Sequence, residues 1–192
     1  IERLSSGQSI NRAGDDAAGL VIYQKLRAES SGLKQSVRNA QDGISFVQTA
    51  EGALDEVGSM LNRQRDLVVQ ARNGTQDSNS ITAIQAEFNA LTAAISDIGS
   101  NTEFAGKTVF STDAVNFQVG NGDTDQISVT TGVVGHTASG ETVTDLGVLA
   151  KLDTDIAAIS TTRGALGATQ NRLESTVRNL SVTSENLAAA ES

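Results

Sequence analysis

The 192-residue sequence contains no cysteine, no proline and no tryptophan, and it has one histidine. Without cysteine the chain forms no disulfide, no thiolate zinc site and no cysteine nucleophile. One histidine does not supply a histidine-rich metal site. Aromatic residues make up only 3% of the chain, which indicates a narrow apolar seam rather than a wide globular core. The absence of proline permits very long helices.

Charge is distributed unevenly along the chain, whose formal net charge is −9. Residues 1–72 carry nine basic and nine acidic groups, residues 73–150 one and nine, and residues 151–192 four and five. The acidic middle is expected to face solvent, while the near-neutral ends can pack against each other. We expect no nucleic-acid partner, because phosphate binding needs clustered Lys and Arg. No apolar run approaches the ~20 residues of a membrane span, so no membrane partner is expected either.

The first predicted helix runs over residues 18–72, where apolar residues recur at steps of three and four. This row extends from Leu26 to Ala71, with one change of step that resembles a stammer in a heptad pattern. Polar Gln64 occupies one position of the row. Gly74 is expected to end the helix by accepting a left-handed C-cap.

The second predicted helix covers residues 77–99. Its apolar residues also step by three and four, from Ile81 to Ile98. Gly99 is expected to close it. The candidate N-caps are Asp77, Ser78 and Ser80.

The third predicted helix covers residues 148–190 and has two alternating rows. One row consists of Leu and Ile throughout. The other row is interrupted by the polar residues Arg163, Gln170 and Ser184. Polar groups at such positions set the register of packed helices. Gly164 and Gly167 are expected to let another helix approach closely.

Residues 104–135 are interpreted as a β-hairpin region, and residues 136–147 as a loop. Alternating β-branched and aromatic residues indicate strands at 116–119 and 126–130, and the turn formers at 120–125 connect them. The predicted fold is therefore mainly α: an elongated antiparallel bundle of long helices. We expect the hairpin to cap one end of that bundle.

Several long motifs resemble the bacterial flagellin family. They occur in the family's order and cover about three quarters of the chain. At the N-terminal end they are Arg3-Leu-Ser-Ser-Gly7, Asp15-Asp-Ala-Ala-Gly-Leu20, Arg38-Asn-Ala-Gln-Asp-Gly-Ile-Ser45 and Gln48-Thr-Ala-Glu-Gly-Ala-Leu54. At the C-terminal end they are Leu166-Gly-Ala-Thr-Gln-Asn-Arg-Leu173 and Glu185-Asn-Leu187.

The resemblance implies an extracellular, secreted structural subunit of the bacterial flagellar filament. Its partners would be other flagellin subunits, and it would have no cofactor, no metal and no enzymatic activity. Residues 18–192 would form a single core domain. Residues 1–17 would be a linker toward a terminal polymerising domain outside this sequence. A fragment without that domain is expected to be monomeric.

The resemblance also implies recognition by the animal Toll-like receptor that senses flagellin. Carried over by position, the contact residues would be Arg63, Leu67 and Glu87. Gln64 stands where the commonest family residue is Val. On the residues alone, Arg63 and Arg65 lie off the apolar row, and a solvated helix face is the simpler interpretation.

Two other functions compete with the filament interpretation, one of the same structural class and one of a different class. A hook–filament junction protein shares the terminal helices, and an enzyme on a helical scaffold would need a pocket and perturbed titratable groups. The pair Asp15-Asp16 could hold a metal, although a role at the start of a helix is favoured. The run at 120–125 superficially resembles a calcium loop, but it lacks the later bidentate Glu, so a hairpin turn is favoured.

Overall fold

The structure is a computed structural model that describes residues 17–191. Within these residues the chain forms three long helices and two short antiparallel strand pairs, which confirms the predicted fold class. None of the described helices is long and apolar enough to cross a membrane. The helices are α1 (Ala17–Ala71), α2 (Ser78–Asn101) and α3 (Val148–Glu191). The strands are β1 (Glu103–Phe104), β2 (Lys107–Thr108), β3 (Val115–Gln118) and β4 (Gln126–Val129).

The two rows of α3 differ in burial as their composition predicts. Every residue of the interrupted row is only half-buried, including Arg163, Gln170 and Ser184. Leu and Ile fill the other row without interruption because that row faces the core and excludes water. Its buried residues are Leu152, Ile159, Leu166, Leu173 and Leu180.

Helix α1 ends two residues before Asn73, close to the predicted position but by a different mechanism. The Asn73 N–H donates to the Gln70 carbonyl oxygen at 3.1 Å, and the Gln76 N–H donates to the Asn73 carbonyl oxygen at 3.0 Å. Gly74 is not among the residues with a positive φ. The predicted left-handed cap is therefore wrong. Turn hydrogen bonds, and not a glycine cap, pair the backbone groups at this helix end.

Helix α2 follows a predicted N-cap, Asp77, but ends beyond the predicted Gly99. The Asp77 side chain accepts a hydrogen bond from the Ser80 N–H at 2.8 Å, which caps the helix and lowers the pKa of Asp77. The helix continues past Gly99 to Asn101. A Cβ on Gly99 would approach the Val134 Cβ to 3.1 Å. The glycine thus permits a close approach of the chain rather than ending the helix.

The strands β1 and β2 form a hairpin whose two connecting residues both have positive φ. Glu103 pairs with Thr108, and Phe104 pairs with Lys107. Between them Ala105 has a φ of 50° and Gly106 a φ of 76°. Two successive positive φ angles match the right-handed twist of the flanking strands. The residue pattern predicts only a wider β region over residues 104–135 and does not single out this turn.

The described residues divide into two compact units, to both of which α1 and α3 contribute. The first unit holds the described residues up to Ile44, Asn116–Ser128 and the described residues from Asn171 onward. The second unit holds Ser45–Val115 and Val129–Gln170. The grouping of residues 18–192 into one domain stays a prediction.

In the first unit the β3–β4 hairpin lies along the side of α1. The Asn39 side-chain amide donates to the Gln118 carbonyl oxygen at 2.9 Å, and the Asn121 amide donates to the Glu29 carbonyl oxygen at 3.2 Å. A Cβ on Gly43 would approach the Phe117 ring to 3.1 Å. We expected the hairpin to cap one end of the helical bundle. That expectation is wrong, because the hairpin follows α1 from Gly43 back to Glu29.

In the second unit α1 and α3 run antiparallel, as predicted. Arg65 near the end of α1 pairs with Asp153 near the start of α3, while Arg163 of α3 pairs with Asp55 of α1. Gln85 of α2 binds the segment before α3 through two backbone groups. Its amide donates to the Glu141 carbonyl oxygen at 3.2 Å, and its side-chain oxygen accepts from the Val143 N–H at 2.8 Å.

Candidate interaction surface

Arg63 of α1 and Glu87 of α2 form an exposed ion pair in the second unit. The Arg63 Nε donates to the Glu87 Oε1 at 2.7 Å. The two side chains are 51% and 45% exposed. The hydrogen bond raises the pKa of Arg63, so the guanidinium stays charged. Two of the three predicted contact residues are thus together on one surface and available to a partner.

Leu67, the third predicted contact residue, is buried. Its relative exposure is 1%. It lies one helical turn after Arg63, at i+4, and its side chain packs into the core beneath that surface. The structure therefore corrects its predicted role: Leu67 supports the position of α1 and is not placed to contact a partner with its side chain.

Arg65 forms a second ion pair that closely resembles the first. Its Nε donates to the Asp153 Oδ1 at 2.8 Å, and the side chains are 44% and 56% exposed. This hydrogen bond raises the pKa of Arg65 as well. The two arginines therefore match in exposure, geometry and charge, and they differ in the helix to which each is bound.

Gln64 is completely buried, although it lies between these two exposed arginines in sequence. Its amide nitrogen donates to the Phe88 carbonyl oxygen at 3.1 Å and to the Thr92 hydroxyl at 2.9 Å. Its side-chain oxygen lies 2.8 Å from the His136 Nε2. This oxygen is an acceptor, so the Nε2 carries the proton and donates. Three hydrogen bonds thus satisfy this polar side chain in the apolar row of α1.

His136 joins this buried cluster to a second one around Asp155. Burial lowers the pKa of His136, and the carboxylate of Asp155 opposes that shift. Asp155 is itself buried, and it accepts hydrogen bonds from the backbone N–H and the hydroxyl of Thr137 at 2.9 and 2.8 Å. Sequence reasoning missed this cluster. Its signals were the polar Gln64 in the apolar row of α1 and the departure from the family's Val at that position.

Arg163, one of the polar residues that interrupt the second row of α3, binds two carboxylates of α1. Its Nη1 lies 2.9 Å from the Asp55 Oδ1, and its Nη2 lies 3.8 Å from the Glu51 Oε1. These pairs tie a chosen turn of α3 to a chosen turn of α1, as expected for a polar group that sets register. Gly164 and Gly167 meet nothing within 4 Å of an added Cβ, so their predicted role in close helix approach is wrong.

The structure offers no support for chemistry at the other candidate sites. Asp15 and Asp16 lie outside the described residues. Within residues 17–191 no group of three His, Cys, Asp or Glu side chains could hold a metal ion. In the turn at 120–125, the Asp125 carboxylate accepts a hydrogen bond from the Gly122 N–H at 2.9 Å, so one of the carboxylates of the superficial calcium loop closes the hairpin turn.

Comparison with known families accounts for most of the chain. Residues 1–114 match the family model for the bacterial flagellin N-terminal helical region. Residues 149–192 match the model for the bacterial flagellin C-terminal helical region. The chain belongs to the bacterial flagellin family. Flagellins are structural proteins rather than enzymes.

A flagellin of Bacillus subtilis (strain 168) is 47% identical over an alignment of 154 residues, and the match covers 73% of this chain and 51% of that protein. The match spans about half the length of that protein and of a flagellin of Halalkalibacterium halodurans, and about a third of the length of other flagellins. The crystal structure of Bacillus cereus flagellin superposes with a TM-score of 0.68 at 28% identity, covering 80% of this chain and 94% of that one.

A protein assigned as a flagellar hook-associated protein of Vibrio parahaemolyticus shares the fold as well. Its TM-score is 0.63 at 14% identity, covering 94% of this chain and 96% of that chain. The fold is therefore common to flagellins and to a hook-associated protein. The family models and the sequence identity, rather than the fold, place this chain among flagellins.

Proposed function

We propose that this chain belongs to a structural subunit of the bacterial flagellar filament, secreted and located outside the cell. The match of both helical regions to flagellin carries this proposal. The buried Leu and Ile row of α3 supports it, because such a row serves to hold helices together. The composition and the described side chains supply no metal cluster that would favour an enzyme.

Assembly would proceed by repetition of one contact between identical subunits. A contact between two different faces of identical subunits generates an open helical array when the rotation between neighbours does not close into a ring. The near-neutral helical ends of the chain suit such packing, since they do not repel their copies strongly. The acidic residues 73–150 suit the solvent-facing side.

Immunoelectron microscopy tests this proposal. Antibodies raised against the 192-residue chain, applied to the bacterium that encodes it, are expected to label flagella along their whole length. Preimmune serum and a mutant lacking the gene serve as controls. Labelling confined to the junction between hook and filament would identify a hook-associated protein instead. An absence of label on flagella, with signal inside the cell, would contradict both assignments.

We infer in addition that the surface around Arg63 and Glu87 is recognised by the animal Toll-like receptor that senses flagellin. Support comes from the ion pair between these residues, which places a charged, half-exposed donor and acceptor side by side. Arg is enriched among residues that dominate binding energy. Leu67 would contribute only by holding α1 in place beneath them.

A reporter cell line that expresses the receptor tests this second function, with Arg65 as the matched control. Arg63→Ala is expected to raise the concentration needed for half-maximal signalling by about tenfold or more, as for a hot-spot residue. Arg65→Ala removes an equally exposed and equally paired arginine, and it is expected to leave signalling unchanged. Equal effects of the two variants, or no effect of Arg63→Ala, would contradict the assignment.

A further inference from the structure

The sequence contains two Asn-Gly dipeptides, Asn73-Gly74 and Asn121-Gly122. In such a dipeptide the backbone nitrogen of the glycine can attack the carboxamide carbon of the asparagine, because glycine has no Cβ to obstruct the approach. A new C–N bond closes a succinimide ring, the original C–N bond of the carboxamide breaks, and ammonia leaves. Water then opens the ring to aspartate or isoaspartate, so the reaction needs no co-reactant other than water.

Asn73-Gly74 is in the exposed turn between α1 and α2. The Asn73 backbone is held by its bonds to Gln70 and Gln76. Its side chain, however, makes no hydrogen bond to any residue that the structure describes, and neither does the attacking Gly74 N–H. An added Cβ on Gly74 would meet nothing within 4 Å. Both reacting groups are therefore free and solvated.

Asn121-Gly122 is in the turn of the β3–β4 hairpin, where both reacting groups are held. The Asn121 side-chain amide donates to the Glu29 carbonyl oxygen at 3.2 Å. The Gly122 N–H donates to the Asp125 Oδ2 at 2.9 Å. An added Cβ on Gly32 would come within 2.0 Å of the Asn121 side-chain oxygen, so the asparagine side chain is also confined sterically against α1.

We propose that Asn73 is a site of spontaneous deamidation, and that the folded structure protects Asn121 from the same reaction. At position 73 the product is a new carboxylate two residues beyond the C-terminal end of α1. A negative charge is unfavourable there because the helix dipole presents its negative end. Isoaspartate also inserts an extra methylene into the backbone between the helices that carry Arg63 and Glu87.

Peptide mapping by mass spectrometry tests the proposal on the folded 192-residue chain, aged at mildly alkaline pH. Isoaspartyl methyltransferase labelling reports the isoaspartate product. Asn73 is expected to deamidate about 25-fold faster than Asn121, because two hydrogen bonds must open at Asn121 and each one reduces the open population by roughly fivefold. Equal rates in the folded protein, or a faster reaction at Asn121, would overturn the proposal.

Three controls separate structural protection from local sequence. In concentrated denaturant the rates at the two sites are expected to converge. Asp125→Ala releases the Gly122 N–H and is expected to accelerate the reaction at Asn121 without changing Asn73. Gly74→Ala fits the open turn and is expected to slow the reaction at Asn73. A rate difference that persists in denaturant would show that sequence alone causes it, and would contradict the assigned protection.

Discussion

At the scale of single residues, the buried bond between Gln64 and His136 shows how a departure from the family pattern is compensated. Burying an amide without partners costs about 1–3 kcal/mol. Here the backbone of Phe88, the hydroxyl of Thr92 and the imidazole of His136 satisfy it. The imidazole Nδ1, by contrast, is buried without a hydrogen-bond partner among the described residues. The neutral form of His136 suits this position.

That arrangement predicts loss of stability at acidic pH. Burial lowers the pKa of His136 in the folded state, and the carboxylate of Asp155 opposes that shift. Gln64 and Phe88, which also face the imidazole, carry no charge. The unfolded chain therefore takes up a proton at higher pH than the folded protein. The contribution of His136 is fully present above the unfolded pKa of about 6.5 and declines as the pH falls toward the lower folded value. Denaturant midpoints measured between neutral and mildly acidic pH check this.

His136→Asn is the comparison variant for that titration. The asparagine amide can still donate to the Gln64 oxygen, but it does not titrate. We expect the variant to be less stable at neutral pH and to lose less stability on acidification. If the variant and the parent protein lose stability equally, the acid sensitivity originates elsewhere, for instance in the capping carboxylate of Asp77, whose lowered pKa acts at more acidic pH.

At the scale of elements, the spacing of apolar residues places the three helices to within two residues of their observed ends. The buried row of α3 follows from its unbroken Leu and Ile. The roles of the glycines do not follow, because a glycine's role depends on what lies opposite it. Gly99 faces Val134, and Gly43 faces Phe117. These partners are far away in sequence, so local pattern does not reveal them.

The candidate interaction surface is predictable to the same limited degree. Arg63 and Glu87 come from the family resemblance, and the residues alone indicate only a solvated face. That Leu67 lies in the core is consistent with its place on α1 three residues after the buried Gln64, because residues at i and i+3 share a helix face. The link between Gln64 and His136 joins α1 to a segment without regular structure, and no periodicity connects two such regions. It became visible only in the folded chain.

Two glycine substitutions test these assignments, because they should differ in their effect on the free energy of unfolding. Gly164→Ala fits open space inside α3 and is expected to stabilise the protein by about 0.5–1 kcal/mol, the helix-propensity difference between the two residues. Gly43→Ala introduces a methyl group 3.1 Å from the Phe117 ring and 3.2 Å from Leu173. Phe117 and Leu173 would have to shift by a few tenths of an ångström to admit this methyl group, so the variant is expected to be about 1–3 kcal/mol less stable than Gly164→Ala.

Chemical denaturation followed by circular dichroism measures both changes. Gly52→Ala serves as a second open position, since nothing lies within 4 Å of an added Cβ there. It should behave like Gly164→Ala. Stabilisation by Gly43→Ala as large as that by Gly164→Ala would show that the hairpin does not pack against α1 as described.

At the scale of the whole molecule, α1 and α3 each contribute residues to both compact units. A break in the middle of either helix would leave unpaired N–H and carbonyl groups at two new helix ends. It would also require separate nucleation of two shorter helices, each of which is unfavourable by itself. Unfolding of one unit should therefore weaken the other through the shared helices, although each unit has its own buried side chains.

We expect a single cooperative unfolding transition, which Leu152→Ala and Leu173→Ala can test together. Both leucines are completely buried, one in each unit, and each substitution is expected to cost about 2–5 kcal/mol. They are about six helical turns apart in the sequence of α3, so the costs should add to within about 0.5 kcal/mol in the double variant. Leu149→Ala, in the half-buried row, should cost less.

Two spectroscopic probes make the test decisive. Tyr23 is the only tyrosine and the chain has no tryptophan, so intrinsic fluorescence reports on the first unit alone. Far-ultraviolet circular dichroism reports on all helices. In a cooperative molecule, Leu152→Ala in the second unit shifts the fluorescence transition as far as the dichroism transition. If the fluorescence midpoint is unchanged in Leu152→Ala but shifts in Leu173→Ala, the two units unfold independently, despite the helices they share.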